Sequence, residues 1–213
     1  MDLFRKHSSI TEAAICSFAF MLFAFFVQYE FPVNLISFVS LLLPAYFISR
    51  SLNNLQDLKK ITGEIPSLKL FILFSITGII GGLAFAAMYR WHLDAPLIPK
   101  SIQWFAAIAA LVGCMEELVF RGYIQDSVKS SGTAISVTIG TLSHTAYKCC
   151  LFLSPMALMK TNIGFLAFWT IIAGLIYGTI RHYSKSIIPS LVGHALFDIW
   201  IYAEFVNAPW WVW

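Results

Sequence analysis

Apolar runs of membrane-spanning length alternate with short polar breaks along the whole chain. A spanning helix needs about 20 mostly apolar residues, and the pattern predicts about seven. The first runs from Ala13 to Val27, behind Arg5 and Lys6. The segment after it, Gln28 to Pro32, offers no small-residue cleavage site, so the run reads as an uncleaved first span. Glu30, Pro32 and Asn34 mark a turn into a second span, from about Phe31 to Ile48. Arg50 to Ser67 is the longest soluble loop, with Asp57, Lys59, Lys60 and Glu64. The third span is Leu68 to Met88. Arg90 to Lys100 then forms a loop, with Trp91 as an interfacial aromatic and Pro96 and Pro99 as breakers. The fourth span covers Ile102 to about Ile124 and the fifth Thr133 to Tyr147. The sixth covers Ile163 to Ile180 and the seventh Ile187 to about Val206. Cys149 to Met159 reads as a short re-entrant or interfacial piece. Trp210, Trp211 and Trp213 suit an aromatic belt.

Composition agrees. The 213 residues are 59% hydrophobic and 12% charged, where a soluble domain has roughly 25% charged residues. The fold class expected is an all-α, polytopic transmembrane helical bundle. A net charge of +3 is too modest to imply a nucleic-acid partner. Cys16, Cys114, Cys149 and Cys150 form no CxxC and read as small buried hydrophobes. Gly78-x-x-x-Gly82 and Gly174-x-x-x-Gly178 have the spacing that lets helices approach closely. With the N-terminus inside, the inner loops hold Arg5, Lys6, Arg50, Lys59, Lys60, Lys69, Lys129, Arg181 and Lys185. The outer ones hold Arg90, Lys100, Lys148 and Lys160, so the positive-inside rule places the N-terminus in the cytoplasm.

Charge inside the fourth span changes the picture. Cys114 to Gly122 carries Glu116, Glu117 and Arg121 in an otherwise apolar run. Ionisable groups at membrane depth are expensive, and they usually face a protein interior or a wet cavity. Glu117 and Arg121 are four apart, with the acid N-terminal, the favourable order for a helical ion pair. Glu116 is turned about 100° from Glu117. Arg121 can therefore neutralise one carboxylate and leave the other less compensated, available as a general base. The fifth span brings His144 among several serines and threonines. The seventh brings His194 and Asp198, four apart on one face, where a carboxylate can fix an imidazole tautomer. Three spans thus bring His, Glu or Asp to membrane depth. Converged on one cavity, such groups can make a general base, a water site, an electrophilic clamp or a metal site.

Glu116-Glu117-x-x-x-Arg121, a distant His144 and His194-x-x-x-Asp198 resemble the three motifs of the CAAX protease and bacteriocin-processing (CPBP, or Abi) family. That family includes the type II CAAX prenyl endopeptidases, and its motifs are EExxxR, FxxxH and HxxxN or HxxxD. Phe120-Arg121-Gly122 and the lead from Ser186 through Pro189 and Ser190 are also similar. The chain departs at Gly140, where the family usually has Phe, and takes Asp at position 198. The resemblance implies a catalytic transmembrane core over 101–213, with 1–100 as N-terminal helices of a variable addition.

The resemblance further implies an intramembrane endopeptidase acting on a membrane-anchored peptide or protein within the lipid bilayer. Glu116 with His144 would activate a water, and His194 with Asp198 would stabilise the oxyanion. Because an ionised Asp cannot donate a hydrogen bond, Asp198 would either be protonated or, the favoured role, act indirectly by orienting a charged or donating His194. Glu117 and Arg121 would hold the Glu-bearing helix. No cofactor is expected, with zinc on Glu116, His144 and His194 as the alternative. The further alternative is a non-enzymatic bacteriocin self-immunity factor or scaffold. The short loops resemble prokaryotic members, and hence a multi-pass protein of a prokaryotic cell membrane. A proton-coupled transporter would show repeat symmetry between halves; the ionisable groups lie only in the C-terminal half.

Overall fold

A computed structural model describes residues 2–52, 55–65, 67–157 and 160–206; the Trp210 to Trp213 tail lies outside them. The regular structure among the described residues is helical, with one isolated bridge between Gly63 and Ser186. In chain order the helices are α1 (Asp2–Phe26), α2 (Leu35–Ser40), α3 (Leu42–Ser51), α4 (Leu55–Thr62) and α5 (Leu68–His92). Then come α6 (Trp104–Glu117), a π-helical segment (Leu118–Ile124), α7 (Gln125–Ser127), α8 (Thr133–Leu153), α9 (Ile163–Ser184) and α10 (Ile188–Ile201).

Of the seven predicted spans, two are helices long and apolar enough to cross a membrane, Leu68–His92 and Ile163–Ser184. Shorter apolar helices cover Ile10–Phe26, Leu35–Ser51 and Ile188–Ile201. Three boundaries differ from the hydropathy reading. The second span is interrupted at Leu41, between α2 and α3. The fourth leaves α-helical geometry after Glu117. The fifth does not stop at Tyr147: α8 runs to Leu153, so the first five residues of the expected re-entrant piece, Cys149 to Leu153, belong to that helix. Lys148 interrupts the apolar pattern there without interrupting the helix.

Local chemistry sets the ends of the long helices. Asn162 caps α9, its Oδ1 accepting from the Phe165 amide at 3.0 Å. Lys185 closes α9 in the left-handed conformation, φ 60°. Pro189 sits in the first turn of α10, where its missing N–H is not needed. The glycine spacings prove to be crossing points. A Cβ at Gly78 would collide with the Pro189 carbonyl, and one at Gly82 with the Gly193 carbonyl, so α5 and α10 touch backbone to backbone. Gly174 and Gly178 similarly admit Thr141 and Val137 of α8.

One apolar core joins α1, the π segment and α8 through Cys16, Phe120, Ile124 and Leu151. All four cysteines are free thiols, and Cys16 is buried in that core. Outward, α5 exposes Leu70, Ile72, Leu73, Ile76 and Ile80. Such a continuous apolar face suits lipid better than water.

Candidate active site

Glu116, Glu117, Arg121, His144, His194 and Asp198 are all buried. The last turn of α6 supplies the two glutamates, and the π segment that follows supplies Arg121. Single π turns inside helices are uncommon and recur at functional sites. His144 comes from the middle of α8, and His194 and Asp198 from α10.

These residues converge. His144 Nε2 lies 3.0 Å from Glu116 Oε2. His194 Nδ1 lies 3.0 Å from Glu117 Oε1, and Arg121 Nη1 lies 3.1 Å from that same oxygen. His194 Nε2 is 3.8 Å from Glu116 Oε2 and 3.7 Å from Asp198 Oδ2. An ionised carboxylate only accepts hydrogen bonds, so His194 Nδ1–H donates to Glu117, which turns Nε2 toward Glu116 and Asp198.

Two expectations need correction. The first is that the pairing of Arg121 with Glu117 leaves Glu116 less compensated. Arg121 does pair with Glu117, but Lys148 Nζ lies 2.7 Å from Glu116 Oε1. Lys148 was expected in an outer loop. It sits on α8, largely buried, one turn from His144 and on the same face. The spacing His144-x-x-x-Lys148 was the signal for it. The second correction concerns the orienting group of His194. Glu117, from another helix, makes the hydrogen bond, while Asp198 lies at ion-pair distance only.

Small residues make room. A Cβ at Gly113 would collide with Asp198 Oδ2, so the glycine of α6 admits the carboxylate of α10. At Gly140, where the expected family pattern has Phe, a Cβ would crowd the Phe120 carbonyl and Gln125. The ring that faces His144 comes instead from Phe120, with centroids 4.9 Å apart.

The cluster borders a cavity of about 160 Å³ lined by Arg121, His144, Lys148, His194 and Asp198. Its remaining wall is largely aromatic and includes Phe85, Tyr89, Phe165, Trp169, Tyr177 and Phe197. An apolar cleft with a few convergent polar groups is the usual form of a small-ligand or substrate site.

Fold and site together define a helical membrane protein with a buried acid–histidine cluster facing an aromatic cleft. Residues 98–200 match the family model described as Type II CAAX prenyl endopeptidase Rce1-like. That match supports assigning this region to the CAAX protease family, a peptidase family. The matched range holds the two glutamates, Arg121, both histidines and Asp198. No curated protein matches the chain, and no solved structure matches it.

Proposed function

We propose that the protein is an intramembrane endopeptidase that cleaves a membrane-anchored peptide or protein by glutamate-dependent activation of water. The observation that carries this reading is the buried 3.0 Å contact between Glu116 Oε2 and His144 Nε2, in which His144 lines an aromatic cleft. Water placed between that carboxylate and a peptide carbonyl gives its proton to Glu116 while its oxygen adds to the carbonyl carbon. As the C–N bond breaks, the proton passes from Glu116 to the leaving amine. His144 orients the water.

His194 faces the same point with Nε2, because Glu117 holds Nδ1. For Nε2 to donate to the developing oxyanion, the ring must carry both protons. Three carboxylates surround it, those of Glu117, Asp198 and Glu116. Asp198 supports that role by charge at 3.7 Å. Lys148 fixes the orientation of Glu116 through its second oxygen.

A metal-free step is part of the proposal, and the donor set supports it. Zinc on Glu116, His144 and His194 would share a carboxylate already held by the Lys148 ammonium at 2.7 Å, placing two cations side by side. Among the described residues, no group of three or more His, Cys, Asp or Glu is placed to hold a metal ion.

The same reading has the chain cross a prokaryotic cell membrane several times, with the N-terminus cytoplasmic. The loops support that orientation. Of the basic residues expected outside, Lys148 pairs with Glu116 and Arg90 is buried against Glu204, so neither adds free charge to an outer loop. The test is cleavage of membrane-anchored precursors by the purified chain, with Glu116→Gln as the comparison. A Glu116→Gln variant that still cleaves removes Glu116 as the base, whereas a wild type that cleaves no precursor leaves immunity or scaffolding as the reading.

A further inference from the structure

A second cavity, of about 730 Å³, lies where α4, the π segment and the last turn of α9 meet. It shares no residue with the aromatic cleft except Arg121. Its walls carry five cationic side chains, those of Lys59, Arg121, Lys129, Arg181 and Lys185. They carry two carboxylates, and both are engaged. Asp126 holds Lys129 at 2.9 Å and Arg181 at 3.8 Å, and Glu64 holds Lys59 at 3.8 Å. Lys185 has no ion pair among the described residues.

The inner wall is a buried guanidinium. Arg121 is 1% exposed. Its Nη1 faces Glu117, while its Nε and Nη2 have no hydrogen-bond acceptor among the described residues. Buried donors of this kind are normally satisfied, and a charged one left without acceptors is costly.

The rim is built rather than loose. Gly63 and Ser186 form an antiparallel bridge, and the Ile187 amide donates to the Thr62 carbonyl at 2.8 Å. Arg181 Nη2 donates to the Ile61 carbonyl at 3.2 Å. Gly63 has φ +80°, and a Cβ there would collide with the Lys185 carbonyl, so the seam needs glycine. The soluble loop is thereby sewn to the α9–α10 turn, with the cavity behind the seam.

Unbalanced like charge around a cavity is self-repulsive and is relieved by an anion. Guanidinium forks and ammonium groups together suit the tetrahedral oxygens of phosphate. α9 ends beside the cavity, through Arg181, His182 and Lys185, so the cavity lies at a terminus of a membrane-length helix, the level of lipid headgroups. We propose that this cavity binds a phosphoryl oxyanion, carried either on a phospholipid headgroup or as free phosphate. Its deepest ligand is Arg121. The bound oxyanion competes with Glu117 for that guanidinium and so adjusts the group that holds His194.

Binding is read without any peptidase assay, so its outcome and that of the proposed function are separable. The purified full chain in neutral detergent is titrated with inorganic phosphate, against chloride at matched ionic strength. It is also reconstituted into phosphatidylcholine vesicles with and without phosphatidic acid. Thermal unfolding is followed in each. A saturable rise in unfolding temperature with phosphate identifies the free ion; a rise confined to phosphatidic acid identifies the headgroup. The Lys59→Gln/Lys185→Asn variant changes two exposed side chains, and Asn tolerates the left-handed backbone at position 185. It should weaken binding about tenfold or more and leave the ligand-free unfolding temperature unchanged. No rise with either source, or an equal rise in the variant, overturns the site.

Discussion

Glu116 is held from two sides, by Lys148 on one oxygen and His144 on the other. Removing the ammonium strands a buried carboxylate, and breaking such a pair costs about 3 kcal/mol or more. Lys148→Met should therefore lower the unfolding temperature in detergent. The double variant Lys148→Met/Glu116→Gln should lose less than the sum of the single changes, because no charge is stranded. Strictly additive losses would show that the pair does not exist. Asp198 gives a second residue-scale expectation. Gly113→Ala should push its carboxylate aside and reduce turnover while leaving the unfolding temperature close to wild type, as read by paired kinetics and thermal scans. What was legible at this scale was local. Glu117 and Arg121 are one helical turn apart, so their pairing follows from spacing alone. The bond from His194 to Glu117 joins α10 to α6, and spacing pointed instead to Asp198 on the same helix. A lysine after an apolar run ordinarily marks a membrane boundary, and hydropathy alone therefore places Lys148 in an outer loop.

At the scale of the element, the close crossing of α5 and α10 places His194 and Asp198. Gly82 faces the Gly193 carbonyl, and Gly193 immediately precedes His194. Gly82→Leu should separate the helices, lower the unfolding temperature and abolish any activity, whereas Gly81→Ala, where a Cβ would meet open space, should be tolerated. Equal tolerance of both changes would contradict the crossing. The glycine spacings were visible in the sequence, but not which carbonyls they admit. The π segment was not visible at all. Its residues continue the apolar pattern of α6, and hydropathy does not distinguish an α turn from a π turn. α8 extends beyond the apolar run for a related reason, since its Lys148 is neutralised by Glu116 from another helix.

At the scale of the whole molecule, Arg90 ties the end of α5 to the segment after α10. Its Nη1 donates to the Trp200 carbonyl at 3.0 Å and its Nη2 to Glu204 Oε2 at 2.8 Å. The Lys100 amide donates to the other Glu204 oxygen at 2.9 Å. Glu204 lies past α10, and the Arg90 hydrogen bond, then that of Lys100, holds its carboxyl below the ordinary value of 4.5. Its contribution to stability is therefore complete above that ordinary value and is lost as pH falls through the lowered one. Glu204→Gln should flatten the acid-side fall in unfolding temperature. The all-helical membrane character was legible from composition and run length, and the family from the spacing of a few polar residues. The number of spans was not, because α6 and α10 are short and α8 is polar on its buried face.

The central claim is that Glu116 is the base of a metal-free peptidase. The most direct measurement is cleavage of candidate membrane-anchored precursors by detergent-purified wild type and Glu116→Gln, each with and without a chelator. The account predicts cleavage by wild type that a chelator leaves intact, and a loss of about 10²–10⁴-fold in Glu116→Gln at an unchanged fold. Wild-type cleavage that a chelator abolishes and zinc restores, or cleavage that survives Glu116→Gln, would contradict it.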